Sequence, residues 1–313
     1  MPAHDSIANL EATDAVILDG VSKRFDAVTA VSEMSLRIKR GGLFGLLGPN
    51  GAGKTTTLRM IMSVIIPDDG RVLVFGETHP DRVQNMIGYL PEERGLYPRM
   101  KVLDVLVFLA ALKGLAESDA RQRANEWLER MEIGSWAGRK VIDLSKGMQQ
   151  KVQFIAAVLH RPPLLILDEP FAGLDPVNAT MIKDTMVEMR RQGTTIILSS
   201  HRMEQVEMMC ESICLINAGH KVLDGELRAI KKEYGKNTLR LEYSGDGNFL
   251  DQPDLVASVN YFGSTVEARL RPGADPQEIL KRAVEQNVRI SRFELVEPPL
   301  NDIFIEKVSG AHA

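Results

Sequence analysis

The run Gly48-Pro49-Asn50-Gly51-Ala52-Gly53-Lys54-Thr55-Thr56 follows an apolar segment, Leu43 to Leu47, and precedes Thr57-Leu58-Arg59-Met60-Ile61-Met62. The order reads as buried strand, glycine loop and helix, which is a P-loop and commits the chain to a sheet-and-helix core. Glycines at 48, 51 and 53 let successive backbone N–H groups turn inward around phosphate oxygens. The helix that follows aims its positive N-terminus at the same anion. Lys54 is placed to reach the β- and γ-phosphates, and the Thr55 hydroxyl to ligate Mg²⁺. A stray glycine-rich turn would match this pattern in roughly one chain per hundred of such length. The flanking strand and helix favour nucleotide binding.

At 313 residues the chain has room for one large domain or two smaller ones. Hydrophobic residues make up 44% and charged residues 26%, the balance of a soluble globular protein. A net charge of −4 leaves no basic footprint, so nucleic acid is not an expected partner. Cys210 and Cys214 stand four apart in an expected helix, read as buried small apolar residues suited to a reducing cytosol. No His or further Cys completes a metal set around them. Met1 to Asp14 lacks a basic, then apolar, leader pattern. The apolar stretch from Val102 to Leu115 is interrupted by Asp104 and Lys113 and is too short to span a bilayer. Any membrane role is therefore expected to run through a partner.

Taken in order, residues 1–13 read as a loose tail, Ala15 to Leu18 as a short strand and Gly20 to Arg24 as a turn. Phe25 reads as packing or as a platform for a purine ring. Ser35 to Lys39 alternate as a strand. Strands are expected at Arg71 to Gly76 and Met86 to Leu90, then a charged loop from Pro91 to Leu96. Val102 to Lys113, Ser118 to Met131 and Lys146 to His160 form a helical block inserted into the sheet-based domain. Leu164-Leu165-Ile166-Leu167 suits a strand buried on both faces of a parallel sheet, and Asp168 and Glu169 close it. Ligands bind beyond the carboxyl ends of such strands. Asp168 can share the Mg²⁺ with Thr55, and Glu169 can polarise an attacking water. Asp175 follows in a turn, Ala179 to Gln192 forms a helix, and His201 ends a further buried strand. That histidine reads equally as a structural hydrogen-bonder or a functional group. Beyond Gly235, alternating strands at Leu239 to Tyr243 and Val266 to Leu270 and a helix capped by Asp275 indicate a small α+β unit.

These motifs together resemble the ATP-binding subunit of an ABC transporter over about residues 14 to 232. Gly48 to Thr55 looks like its Walker A and Leu164 to Glu169 like its Walker B. Asp175 looks like the D-loop aspartate, His201 like the switch histidine, and Phe25 like the aromatic that stacks on adenine. Leu144-Ser145-Lys146-Gly147-Met148-Gln149-Gln150 looks like the signature motif. The C-terminal unit, with Phe293-Glu294-Leu295-Val296-Glu297-Pro298, resembles the appended domain of sodium- or drug-efflux-type subunits. The resemblance implies an α/β P-loop NTPase core of RecA-like type with an antiparallel β edge and an inserted helical subdomain. It implies a cassette over 14–235, helical from about 98 to 160, and an accessory α+β domain over 236–313.

The departures are specific. Lys146 and Met148 replace a glycine and the glutamine of the usual Leu-Ser-Gly-Gly-Gln, while Ser145 and Gly147 are kept. Glu92 stands where the loop after Leu90 usually carries glutamine, and still offers oxygen to Mg²⁺ or water. The resemblance implies two copies closing head to tail on two MgATP, each nucleotide between the Walker A of one and Ser145 and Gly147 of the other. Glu169 would act as base, with His201 and Lys54 on the γ-phosphate. A separate transmembrane permease would touch the loop from Glu92 to Arg99, placing the protein on the cytoplasmic face of the cell membrane, with export as the favoured direction. The transported substrate stays open among sodium, drug, peptide and lipid. Two rival readings are a non-transport ABC ATPase and a nucleotide-gated module with weak hydrolysis.

Overall fold

The computed structural model describes residues 13–93, 95–235 and 237–310; of the tail expected over 1–13, residues 1–12 lie outside them. In chain order the described elements begin with β1 (Asp14–Phe25), β2 (Val28–Lys39), β3 (Leu43–Leu47), α1 (Lys54–Ile61), β4 (Asp69–Val74), α2 (Pro80–Met86) and β5 (Ile87–Leu90). The helical block follows as α3 (Val102–Leu112), α4 (Glu117–Arg130) and α5 (Lys146–Val158). Then come β6 (Leu164–Asp168), α6 (Pro176–Arg191), β7 (Thr195–Ser200), α7 (Met203–Met209), β8 (Ser212–Asn217) and β9 (His220–Glu226). The last stretch holds α8 (Leu227–Tyr234), β10 (Thr238–Ser244), β11 (Val256–Phe262), β12 (Thr265–Leu270), α9 (Pro276–Glu285), β13 (Arg289–Val296) and α10 (Leu300–Gly310).

The central sheet has the order β5-β6-β7-β3-β8-β9. Pairs β5–β6, β6–β7, β7–β3 and β3–β8 are parallel. Both β3 and β6 are buried at every residue, as continuous apolar runs between parallel neighbours require. Because all these strands run the same way, Leu47, Asp168 and Ser200 end at one sheet edge. A second sheet, β2-β1-β4, is antiparallel and supplies the expected edge layer. Its Val16, Leu18, Met34, Leu36 and Ile38 share a core with Leu58, Ile61 and Ile166.

The expected turn at Gly20 to Arg24 is instead bulged strand. Register shifts near Leu18, Val21 and Lys23 absorb the extra residues, and Gly20 takes φ 60°. Cys214 lies in β8, with Cys210 just after α7, so the two do not share a helix. Both are free and buried, and burial pushes both thiols up, Cys214 to about 12. In the helical block, Ala120, Ala124 and Leu128 form the buried stripe of α4 at four-residue spacing.

The chain divides into two compact units at Asp224 and Gly225. The change of texture near 235 falls inside the second unit, which also holds α8; there Lys307 of α10 lies over the Tyr234 ring at 5.9 Å. The second unit is a sheet of order β11-β12-β10-β13 around Leu239, Leu241, Phe249 and Ile279. Asp275 caps α9 by accepting from Gln277 N at 2.9 Å. Strand β11 and helix α2 have no counterpart in the sequence reading.

Candidate functional site

The glycine loop turns between β3 and α1 where two close approaches leave no room for side chains. A Cβ on Gly48 would lie 2.1 Å from Ile216 O, and one on Gly53 2.4 Å from Ala30 O. Both have positive φ, 152° and 106°. The loop is tied to the β8–β9 turn, where Ala218 and Gly219 have φ 46° and 80°, the signs of a two-residue hairpin turn. Gly219 N donates to Ala52 O at 2.9 Å, and Ser32 N donates to Gly219 O at 2.9 Å. Helix α1 begins at Lys54 with Gly53 as its cap. It has no side-chain cap and no acidic residue in its first turn. Its first N–H groups and positive dipole end are thus left for an external anion.

Around this loop lies a cleft of about 520 Å³, lined by Asn50 to Thr56, Glu92, Asp168 and Glu169, and by Val28, Thr29, Ala30 and Ala218. Lys54 is buried, and its Nζ donates to Gly48 O at 2.7 Å and Pro49 O at 3.0 Å. Burial lowers the Lys54 pKa; the charges of Glu169, Asp168 and Glu92 oppose that shift. Burial raises the Asp168 pKa, with Glu92 and Glu169 adding like charge and Lys54 opposing. One cation thus faces three carboxylates. Thr55 Oγ1 donates to Asp168 Oδ2 at 3.4 Å. That all-oxygen pair suits a hard cation such as Mg²⁺. Among the described residues no group of three or more His, Cys, Asp or Glu could hold a metal alone. Such a cation would draw its other ligands from phosphate and water.

Glu169 follows β6 with φ 49° and is buried. Its Oε1 accepts from His201 N at 2.7 Å and lies 2.6 Å from His201 Nδ1; its Oε2 accepts from Ser200 Oγ at 3.0 Å. A carboxylate only accepts, so Nδ1 carries the proton and Nε2 faces away from the pair. Three of about four acceptor sites are filled, which leaves one on Oε2.

The other expected residues are not among those that line this cleft. Phe25 is exposed at the end of β1, with Lys23 Nζ 5.6 Å from its ring, and does not line the cleft. Its register partner Val28 does. Ser145 is the exposed cap of α5, accepting from Met148 N at 3.3 Å. A Cβ on Gly147 would meet Leu174 at 3.6 Å and Asn178 at 3.9 Å. Asp175 caps α6, and its hydrogen bonds from the Asn178 backbone and side chain hold its carboxyl below the usual range. Sequence reading missed Val28 to Ala30, Ala218 and Ser200. A roomier hollow of about 690 Å³, bounded by Trp127, Arg130 and Glu188, shares no lining residue with the cleft. There Arg130 pairs with Glu188.

The ABC transporter family profile matches residues 31–172, and the profile described as the C-terminal domain of ATP-binding protein DrrA1-3-like matches 225–308. The uncharacterized ABC transporter ATP-binding protein YhaQ of Bacillus subtilis is 44% identical over 94% of this chain and 99% of its own length. The linearmycin resistance ATP-binding protein LnrL of the same organism is 32% identical over 92% and 96%. A solved ATP-binding subunit of an ABC transporter superposes with a TM-score of 0.67 at 29% identity, over 71% of this chain and 93% of that one. A dimeric ATP-binding cassette bound to ADP and Pi gives 0.62 at 25%, over 68% and 99%. With the glycine loop, the acidic strand end and the histidine at one sheet edge, and relatives aligned over nearly the whole length, this chain belongs to the ATP-binding proteins of ABC transporters.

Proposed function

We propose that this chain hydrolyses MgATP as the motor of a transporter whose membrane-crossing part is a separate permease. The observation that carries the reading is the Glu169 carboxylate. It is buried beside Lys54, oriented by Ser200 and His201, and keeps one acceptor site on Oε2 for a water. Lys54 and the α1 N-terminus would hold the phosphates, Thr55 and Asp168 the Mg²⁺, and Phe25 the adenine. A bound Mg²⁺ would supply charge neutralisation at the β- and γ-phosphates. Glu92, at the cleft rim, would add an oxygen to the same wall. His201 presents Nε2 away from Glu169, where it can serve the γ-phosphate.

Ser145, Gly147 and Asp175 stand outside their own chain's cleft, which supports a head-to-tail pair in which each copy completes the other's site. Among the described residues no helix is long and apolar enough to cross a membrane. Exposed Phe108 and Ile142 lie beside the loop over 92–99, with Tyr97 edge-on to Phe108 at 5.6 Å and Ile142 N donating to Pro98 O at 3.0 Å. We assign this face to the permease, and with it a cytoplasmic position on the membrane. Export is favoured because one relative is named for linearmycin resistance and another, 35% identical over 71% of this chain, for Nod factor export. The test is ATP turnover of the full chain with and without its membrane partner. Glu169→Gln should cut kcat by about 10²- to 10⁴-fold and trap an ATP-bound dimer. Unchanged turnover in that variant, or none in the parent with its partner present, overturns the reading.

A further inference from the structure

Helix α5 buries polar side chains where an amphipathic helix would place apolar ones. Gln150, Lys151 and Gln153 are all buried, and each donates to a main-chain carbonyl in a different segment. Gln150 Nε2 reaches Pro170 O at 3.2 Å. Gln153 Nε2 reaches Glu93 O at 3.3 Å, and Lys151 Nζ reaches Met131 O at 2.8 Å. Two of these carbonyls lie one residue beyond a cleft carboxylate, Glu93 after Glu92 and Pro170 after Glu169. Met131, at the end of α4, is not part of the cleft.

Stability does not account for Gln153. Its Oε1 is buried with no donor, which costs free energy. An apolar side chain of the same length would be nearly neutral there, because Glu93 is exposed and its carbonyl can turn to water. Placement does account for it. The helix that starts at exposed Ser145 is tied by two amides to both acidic segments of its own chain's cleft.

We propose that Gln150 and Gln153 are positioning residues that link the Glu92 and Glu169 segments to α5, whose Ser145 end serves the second copy's nucleotide. Occupancy of one site is thereby transmitted to the other as a coupling free energy. The inference rests on the head-to-tail pair proposed above. It is tested on the full chain by the ATP dependence of hydrolysis together with the melting temperature. The parent should show a Hill coefficient near 2, the limit for two sites. Gln153→Met and Gln150→Met should bring it to about 1, with the Gln153→Met melting temperature within about 2 °C of the parent. Lys151→Met should lower the melting temperature and keep the parental Hill coefficient. If Gln150→Met fails to fold, Gln153→Met decides alone. Cooperativity kept in Gln153→Met overturns the inference. So does a Hill coefficient of about 1 in the parent, or equal loss of cooperativity in Lys151→Met, and both leave the ATPase reading standing. Absence of turnover in the parent would instead sink that reading itself.

Discussion

Gly48→Ala is the substitution whose cost the structure sets most directly. The added Cβ would lie 2.1 Å from Ile216 O, against 3.4 Å for ordinary contact, so the backbone must yield by 3.4 − 2.1 = 1.3 Å. Strand β3 cannot take up that shift, because β7 and β8 hold it on both sides. The displacement passes into the glycine loop. Alanine at φ 152° adds strain of order 1–3 kcal/mol, and the overlap adds about 1–3 kcal/mol. Gly51→Ala is the matched control. It has φ 78° with nothing within 4 Å of the added carbon, so it carries strain of about 1–2 kcal/mol and no clash. Urea unfolding should separate the two variants, and calorimetric titration with ATP should show at least about tenfold weaker binding for Gly48→Ala. Equal unfolding midpoints for the two, or parental ATP affinity in Gly48→Ala, would refute the argument.

Burial and the charge of Lys113 push the His160 pKa from 6.5 down to about 4, against a hydrogen bond to Ile87 O. The folded state therefore resists a proton that the unfolded chain accepts, so stability is complete above pH 6.5 and is lost as pH falls towards 4; His160→Leu should flatten that slope in denaturant titrations. Ser145→Ala should cost the isolated chain less than about 1 kcal/mol, since its cap bond is long and exposed, yet it should sharply reduce ATP turnover. A large fall in melting temperature with normal turnover would reverse that assignment. Lys54→Met should weaken ATP binding by about 10- to 100-fold, as loss of a charged hydrogen bond implies, and fluorescence titration with ATP reads it directly.

Local pattern carried much of the site. The glycine loop, the Asp168–Glu169 strand end and His201 are contiguous motifs whose chemistry is written in neighbouring residues. Val28, Thr29, Ala30 and Ala218 reach the same cleft only through the packing of β2 and the β8–β9 turn against the loop, which no spacing reveals. Ser200 stood beside His201, but its bond to Glu169 depends on β6 and β7 being neighbours. In the fold, continuous apolar runs such as β6 were legible, because burial on both faces leaves no ambiguity. Strand β11 was not, since most of its residues are exposed and its alternation is weak. Helix α2 buries Val83 and no other residue, too little to produce a periodic signal. The turn expected at Gly20 failed because a bulge uses the same glycine conformation as a turn.

The place of β3 sets an order on synthesis. Its two partners are β7 and β8, and the glycine loop beyond it is anchored by Gly219. A ribosome-bound chain that has emerged only as far as Glu169, just past β6, holds every residue of the glycine loop and both acidic groups, yet has no neighbour for β3. Its apolar strand stands bare until residues 195–219 arrive, and closing such distant pairings is slow. Nucleotide that binds the locked loop is therefore expected to stabilise completed cassettes over shorter chains.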